Sequence, residues 1–119
     1  MRRNPLRSLA KKRDFDLVFK NGLSVSAEHL VLYARPNELT GSRLGLSVSK
    51  KIGTAVVRNR VKRLLRESVR KVLEDSEQHY DFVIIAKKKA AEAHLQNFIT
   101  EMEKFIPKIS HAKPADRSH

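Results

Sequence analysis

Apolar residues along this chain keep helical spacing first and strand spacing next. Phe15, Val18 and Phe19 stand at i, i+3 and i+4, which is one face of a helix, and predict a short helix from about Lys12 to Asn21. Asp14 and Asp16 near its start and Lys20 near its end suit the helix dipole, and Gly22 follows as a stop. Alternation then takes over. Leu23-Ser-Val-Ser26 alternates briefly. Residues 30–35 put Leu30, Leu32 and Ala34 on one face and Val31, Tyr33 and Arg35 on the other. Pro36 to Ser42, with Asn37 and Gly41, reads as a connecting loop. Residues 43–49 alternate cleanly, with Leu44, Leu46 and Val48 as the core face and Arg43, Gly45, Ser47 and Ser49 opposite. Small side chains make that second face shallow, polar and open beneath Tyr33. The first helix covers it, a ligand does, or each covers a part.

Lys50-Lys51-Ile52-Gly53 is a basic turn, and Thr54 is placed to cap a long helix from about Ala55 to Asp75. Its apolar stripe is Val57, Val61, Leu64, Leu65, Val69 and Val72. Tyr80 to Ala86 holds a continuous apolar run, as in a strand buried on both faces and paired in parallel. Strand 43–49, helix 55–75 and strand 80–86 thus form a βαβ unit. A last helix is predicted from about Ala91 to Ile106, with Leu95, Phe98, Ile99, Met102, Phe105 and Ile106 inward and Pro107 ending it.

With 119 residues the chain has room for one domain. Residues 1–13 carry six cations and no acid, so residues 1–11 read as a basic arm that orders on binding. Residues 112–119 read as a loose polar tail. Without cysteine there is no disulfide framework, thiol nucleophile or thiolate zinc site. No apolar run approaches the roughly 18 residues that span a membrane, and no apolar stretch follows the basic start, so the expected location is the cytoplasm.

Charge narrows the function. Lys plus Arg number 25 against 13 Asp plus Glu, a net charge of +12, and a polyanion partner compensates such an excess. Between Arg58 and Lys71 stand five arginines, two lysines and one acid, Glu67. Lys62/Arg66 and Arg66/Arg70 are like-charge pairs at i, i+4, each costing about 0.2–0.5 kcal/mol on an isolated helix. A phosphate backbone along that face removes the cost. The arginine share favours nucleic acid, since a guanidinium forks onto phosphate and stacks on bases. No pair of short helices suits DNA reading. Phe15, Phe19 and Tyr33 beside a basic surface suit stacking of unpaired bases, although two Phe at that spacing are commonly core.

Catalytic chemistry is sparse. His29, His79, His94, His111 and His119 are scattered without metal-ligand spacing. Asp14 and Asp16 point different ways on one helix. Glu74 and Asp75 read as solvated surface, Ser47 and Ser49 have no evident base, and Gly53 stands alone where a phosphate loop needs several glycines.

Arg58-Asn59-Arg60-Val-Lys-Arg-Leu-Leu-Arg66, preceded by Arg43-Leu-Gly-Leu-Ser-Val-Ser-Lys-Lys-Ile-Gly53, closely resembles the protein component of bacterial ribonuclease P. Asp14-Phe15, Val18-Phe19, Gly22, Leu30-Val-Leu-Tyr33 and Tyr80-Asp-Phe-Val-Ile-Ile-Ala86 fit the same pattern in order, so the match covers roughly residues 12–89. The resemblance implies an α/β (α+β) two-layer sandwich of order α-β-β-β-α-β-α. Its four-stranded sheet would have a left-handed βαβ crossover, against the general right-handed rule. It implies the protein subunit of an endoribonuclease whose RNA subunit, with its Mg²⁺, removes the 5′ leader from precursor tRNA. The protein would bind one catalytic RNA and the single-stranded leader, promoting cleavage at low Mg²⁺, with no catalytic residue and no metal ligand of its own.

By the same resemblance the leader cleft is Phe15, Phe19 and Tyr33, with Ser47, Ser49, Lys50 and Lys51 near its rim. Arg58, Asn59, Arg60, Lys62, Arg63, Arg66 and Arg70 face the RNA subunit. Lys87, Lys88 and Lys89 stand where many family members carry arginine, which keeps the charge and loses the planar fork. Three rival readings remain, of which a DNA-architectural protein predicts binding of duplex DNA at least as tight as that of structured RNA. A ribosomal protein predicts no leader cleft and buried Phe15, Phe19 and Tyr33. A self-sufficient nuclease predicts cleavage without added RNA.

Overall fold

The most continuously apolar segment lies at the centre of the sheet. A computed structural model describes residues 6–39, 41–74 and 76–110. Its strands are β1 (Leu6–Ser8), β2 (Leu23–Ser26), β3 (Leu30–Asn37), β4 (Ser42–Ser47) and β5 (His79–Ala86), in the order β1-β4-β5-β3-β2. β5 runs antiparallel to β3 and parallel to β4, so it is flanked on both sides as its apolar run demands. The helices are α1 (Lys12–Asn21), α2 (Ala55–Val72) and α3 (Leu95–Ser110).

Leu30, Leu32, Ala34, Leu44, Tyr80, Phe82 and Ile84 form one face of the sheet and close the main core with Val61, Leu65 and Val69 of α2 and Phe98 and Met102 of α3. The opposite face carries a smaller cluster of Leu9, Val18 and Val83, with Phe15 and Tyr33 packed against it. α1 is therefore a partial third layer, where a two-layer build was expected. Thr54 caps α2 as its sequence suggests, its Oγ1 accepting from the Val57 amide at 3.3 Å.

Several expectations are corrected. The sheet has five strands, because Leu6–Ser8, inside the segment read as an unstructured arm, pairs in parallel with β4. Leu6 and Leu9 supply the reason: Leu9 is buried, and its amide donates to the Leu44 carbonyl at 3.0 Å. Residues 1–5 of that arm and the tail read at 112–119 lie outside the described residues. Pro36 and Asn37 belong to β3, and Ser42 to β4, rather than to one loop. β2 ends opposite Ala34, so at Pro36 one side of β3 has no strand neighbour, the edge-like setting that tolerates proline. β4 stops at Ser47, and α2 stops at Val72 rather than Asp75.

The last helix starts at Leu95, not Ala91, after a 3-10 turn over Lys88–Glu92. The His94 amide donates to Asn97 Oδ1 at 2.7 Å, which fixes that start. Pro107 lies inside α3 instead of ending it. It occupies an exposed position in the last turns, where Phe105 and Ile106 still pack on the core. Gly22 does follow α1, but with φ −89° it is not a left-handed cap. Glycine is needed there for space: a Cβ would lie 2.6 Å from the Val18 carbonyl oxygen and 2.7 Å from that of Ala34.

Candidate nucleic-acid interface

Strand register arranges the α1 side of the sheet as three transverse rows. The middle row is Ser24, Tyr33, Val83 and Gly45. α1 lies over it, with Val18 fully buried. Phe15 sits on Gly45, where a Cβ would come within 2.5 Å of Phe15 Cζ. Phe19 meets Tyr33 edge-on, with ring centroids 4.8 Å apart, and Phe15 and Phe19 are 6.4 Å apart. The three predicted aromatics are thus together. Phe19 remains 44% exposed, while Phe15 and Tyr33 are half-buried. A reading in which all three are sealed in the core does not fit.

The second row, Ser26, Val31, Ile85 and Ser47, is not sealed by α1. Ser26 and Ser47 are exposed, and Val31 and Ile85 are half-buried. Val31 and Ile85 are floor residues that the site prediction lacked. The alternation of β3, which puts Val31 on the face of Tyr33, is the signal in the sequence; Ile85 joins it only through the strand register. Beyond this row the parallel strands β4 and β5 leave the sheet at the same edge. Ser49 and then Lys50 and Lys51, all exposed, follow β4, the two lysines in a 3-10 turn. Lys87 follows β5 and donates through Nζ to Ser26 Oγ at 2.7 Å and the Ala27 carbonyl at 2.6 Å. Of the predicted lysine triplet, Lys87 is therefore held at the rim of this row, Lys88 is exposed, and Lys89 faces Glu28 at 3.5 Å.

The third row is Arg35, Asp81, Arg43 and Arg7. Arg43 donates to both Asp81 oxygens, from Nε at 2.9 Å and from Nη2 at 2.7 Å, and its Nη1 reaches Asp14 Oδ2 on α1 at 3.1 Å. Asn37 Nδ2 adds a bond to Asp81 Oδ1 at 2.7 Å. The hydrogen bond to Asp81 is the main reason the Arg43 guanidinium is held more firmly charged than an ordinary arginine, against the opposing effect of burial. Arg35, though directly opposite Asp81, keeps a buried Nε without a hydrogen-bond partner. Sequence reasoning missed this network. A carboxylate in a strand buried on both faces must be paired, and Arg43 was the cation its neighbouring strand supplied.

On the far side of the molecule α2 buries Val61, Leu65, Ser68 and Val69. Asn59, Arg63, Arg66 and Arg70 are exposed and Lys62 is half-exposed; among the described residues none of the four cations has an ion-pair partner. Arg58 and Arg60 differ. Arg58 Nη1 donates to the Gly53 carbonyl at 2.8 Å, while Arg60 donates to the carbonyls of Ala91 at 3.3 Å and Ala93 at 3.0 Å. These two brace the start of α2 and its packing against the approach to α3, leaving only part of each side chain to face outward.

Among the described residues a group of potential metal donors is Glu28, His29 and Glu101. It suits Mg²⁺ poorly. His29 Nδ1 already bonds Glu101 at 2.5 Å, Glu28 faces Lys89, and Mg²⁺ prefers an all-oxygen shell. The described residues contain no helix long and apolar enough to cross a membrane.

Fold and site together define a class: a small basic α/β protein that presents an arginine-rich helix on one side of a sheet and a half-open aromatic cleft on the other. The family model for ribonuclease P matches residues 4–110. A "Ribonuclease P protein component" of Caldanaerobacter subterraneus subsp. tengcongensis is 45% identical over 106 residues, covering 89% of this chain and 91% of the relative. The solved structure of the Staphylococcus aureus RNase P protein superposes with a TM-score of 0.71 at 35% identity, covering 87% of this chain and 94% of the other. That of Thermotoga maritima gives 0.72 at 33%, covering 87% and 97%. The chain belongs to the ribonuclease P protein family and serves in tRNA processing as a component of an endoribonuclease.

Proposed function

We propose that this chain is the protein subunit of a ribonuclease P holoenzyme that acts in the cytoplasm. The outer face of α2, chiefly Lys62, Arg63, Arg66 and Arg70 with Asn59, binds one catalytic RNA subunit. Arg58 and Arg60 contribute there mainly by fixing the helix. The cleft of Phe15, Phe19, Tyr33 and Ser47, floored by Val31 and Ile85, takes the single-stranded 5′ leader of precursor tRNA. Ser49, Lys50, Lys51 and the Lys87–Lys89 segment meet its phosphates.

The observation that carries the leader reading is Phe19, left 44% exposed on a helix whose Val18 is fully buried. A base stacked there gains about 1–3 kcal/mol. Cations at the rim add a salt-dependent, sequence-independent contribution by releasing counterions. Mg²⁺ belongs to the RNA subunit in this reading, and no step is assigned to it on the protein. The protein's cations stand in for part of the Mg²⁺ that two polyanions need in order to meet, so cleavage proceeds at lower Mg²⁺.

The test is precursor-tRNA cleavage at low Mg²⁺ by a bacterial ribonuclease P RNA, with and without this protein. Efficient cleavage only with both supports the reading. Absence of stimulation while RNA binding persists defeats it, and cleavage by the protein alone assigns the chemistry to the protein.

A further inference from the structure

Among the described residues, Asp14 is the side chain of α1 that reaches across to the charged row; the other ion pair near that end, Lys12 with Asp16, stays within the helix and ties it to nothing else. Its N-cap, Lys11, makes no side-chain capping bond. At the other end, Gly22 lies against the Ala34 carbonyl. Between these two fastenings the helix carries Phe15 onto Gly45 and Phe19 onto Tyr33, beside the uncovered row of Ser26, Val31, Ile85 and Ser47.

We infer that Asp14, through Arg43 held by Asp81, is a positioning residue for substrate: it draws α1 toward the charged row and so keeps the leader cleft at its working width. The inference rests on the leader reading above and adds the element that sets the cleft. A helix moves as a unit, so a displacement at Asp14 passes directly to Phe15 next to it and to Phe19 one turn later. Arg43 is kept from following α1 by the two bonds it donates to Asp81, which accepts a further one from Asn37 Nδ2. Arg35 does not compete for that carboxylate in this arrangement, its Nε remaining unbonded.

Asp14→Asn removes the charge of the clasp while leaving the Arg43–Asp81 pair whole. With the RNA subunit present, affinity for precursor tRNA is expected to fall about tenfold, as when one charge-assisted hydrogen bond is removed. Affinity for mature tRNA and affinity for the RNA subunit should stay near wild type, and the melting temperature should fall only modestly, since the same bond is lost from the free protein. Shortening the leader nucleotide by nucleotide should erase the difference between variant and wild type. Arg43→Lys, which keeps one charge and loses the fork, should give the same preferential loss for precursor over mature tRNA, with a larger fall in melting temperature because the bond to Asp81 is loosened as well.

Equal losses for precursor and mature tRNA, or a loss of RNA-subunit binding, would place Asp14 in general folding and overturn the inference. So would an Asp14→Asn protein that discriminates as well as wild type. Wild-type protein that itself fails to favour precursor over mature tRNA would instead remove the leader reading, and this inference with it.

Discussion

The ring of Phe15 rests on Gly45 so closely that a single added carbon does not fit, Cζ and Cε1 lying 2.5 and 2.6 Å from where a Cβ would stand. The floor of the cleft thereby sets the height of its wall. Gly45→Ala is expected to leave the fold intact, since the atoms in the way are the tip of a side chain. It should cost about 1–3 kcal/mol, as overpacking does, and lower precursor-tRNA affinity more than mature-tRNA affinity. Urea denaturation paired with binding titrations checks this. Unchanged stability and affinity would mean that the ring has room to lift.

Asp81→Ala leaves the mostly buried Arg43 guanidinium with Asp14 as its remaining ion-pair partner. The expected cost is about 1.5–3 kcal/mol, as when hydrogen bonds to a charged group are lost, read from the denaturation midpoint. The pH behaviour follows from the sign of the Arg43 shift. Its folded value is raised, so this contribution is complete at every pH below the ordinary arginine range. It is lost only as pH rises through the raised value. The destabilisation caused by Asp81→Ala should therefore not shrink between about pH 7 and pH 9, and a penalty that vanished there would contradict the pairing.

The cations of α2 divide into two groups with different readouts. Replacing Lys62, Arg63 and Arg66 together with Ala should weaken RNA-subunit binding. It should also reduce the log–log salt slope by up to about 0.7–0.9 for each phosphate no longer neutralised, with little change in melting temperature. Arg60→Ala should instead destabilise by about 1–3 kcal/mol, because two backbone carbonyls near α3 are left without their donor. A salt slope unmoved by the triple variant would take RNA binding away from this face.

Phe19→Ala removes an aromatic edge from Tyr33 and a stacking platform from the cleft. Precursor-tRNA binding should weaken by about 1–3 kcal/mol and mature-tRNA binding should hold. Titrations with the two RNAs at one salt concentration decide it; parallel losses would make Phe19 a packing residue.

Local periodicity made much of this protein legible. α1, α2 and β5 follow from apolar spacing and the Thr54 cap, and the aromatic trio from the same pattern. What escaped depends on distant partners. β1 has one leucine beside Arg7, with Leu9 just after it, too little to announce a strand, and becomes one because β4 offers an edge in register. Pro36 is read as a breaker until β2 is seen to end before it. Pro107 sits in a helix already held by packing of Phe105 and Ile106. Arg43 belongs by alternation to the open face, yet its role comes from Asp81 on a strand that is 38 positions away. Arg58 and Arg60 match the basic motif as readily as Arg63 and Arg66 do. Only tertiary structure separates those that brace backbone from those that face outward.

The place of β5 in the sheet also governs when the fold can be completed. β3 and β4 are consecutive in the chain but do not pair; β5, made after both, inserts between them. During synthesis the ribosome therefore releases two half-sheets and a cationic helix before the strand that joins them emerges. Until His79–Ala86 is out, the inner edges of both halves lack their native partner. Such late, non-local closure makes folding slower than a helical bundle of this size and exposes apolar strand edges along the way. A transcript truncated ahead of β5 would yield a polypeptide that keeps the basic helix without the sheet that shields its apolar side, a product suited to aggregation on RNA and to clearance by proteases.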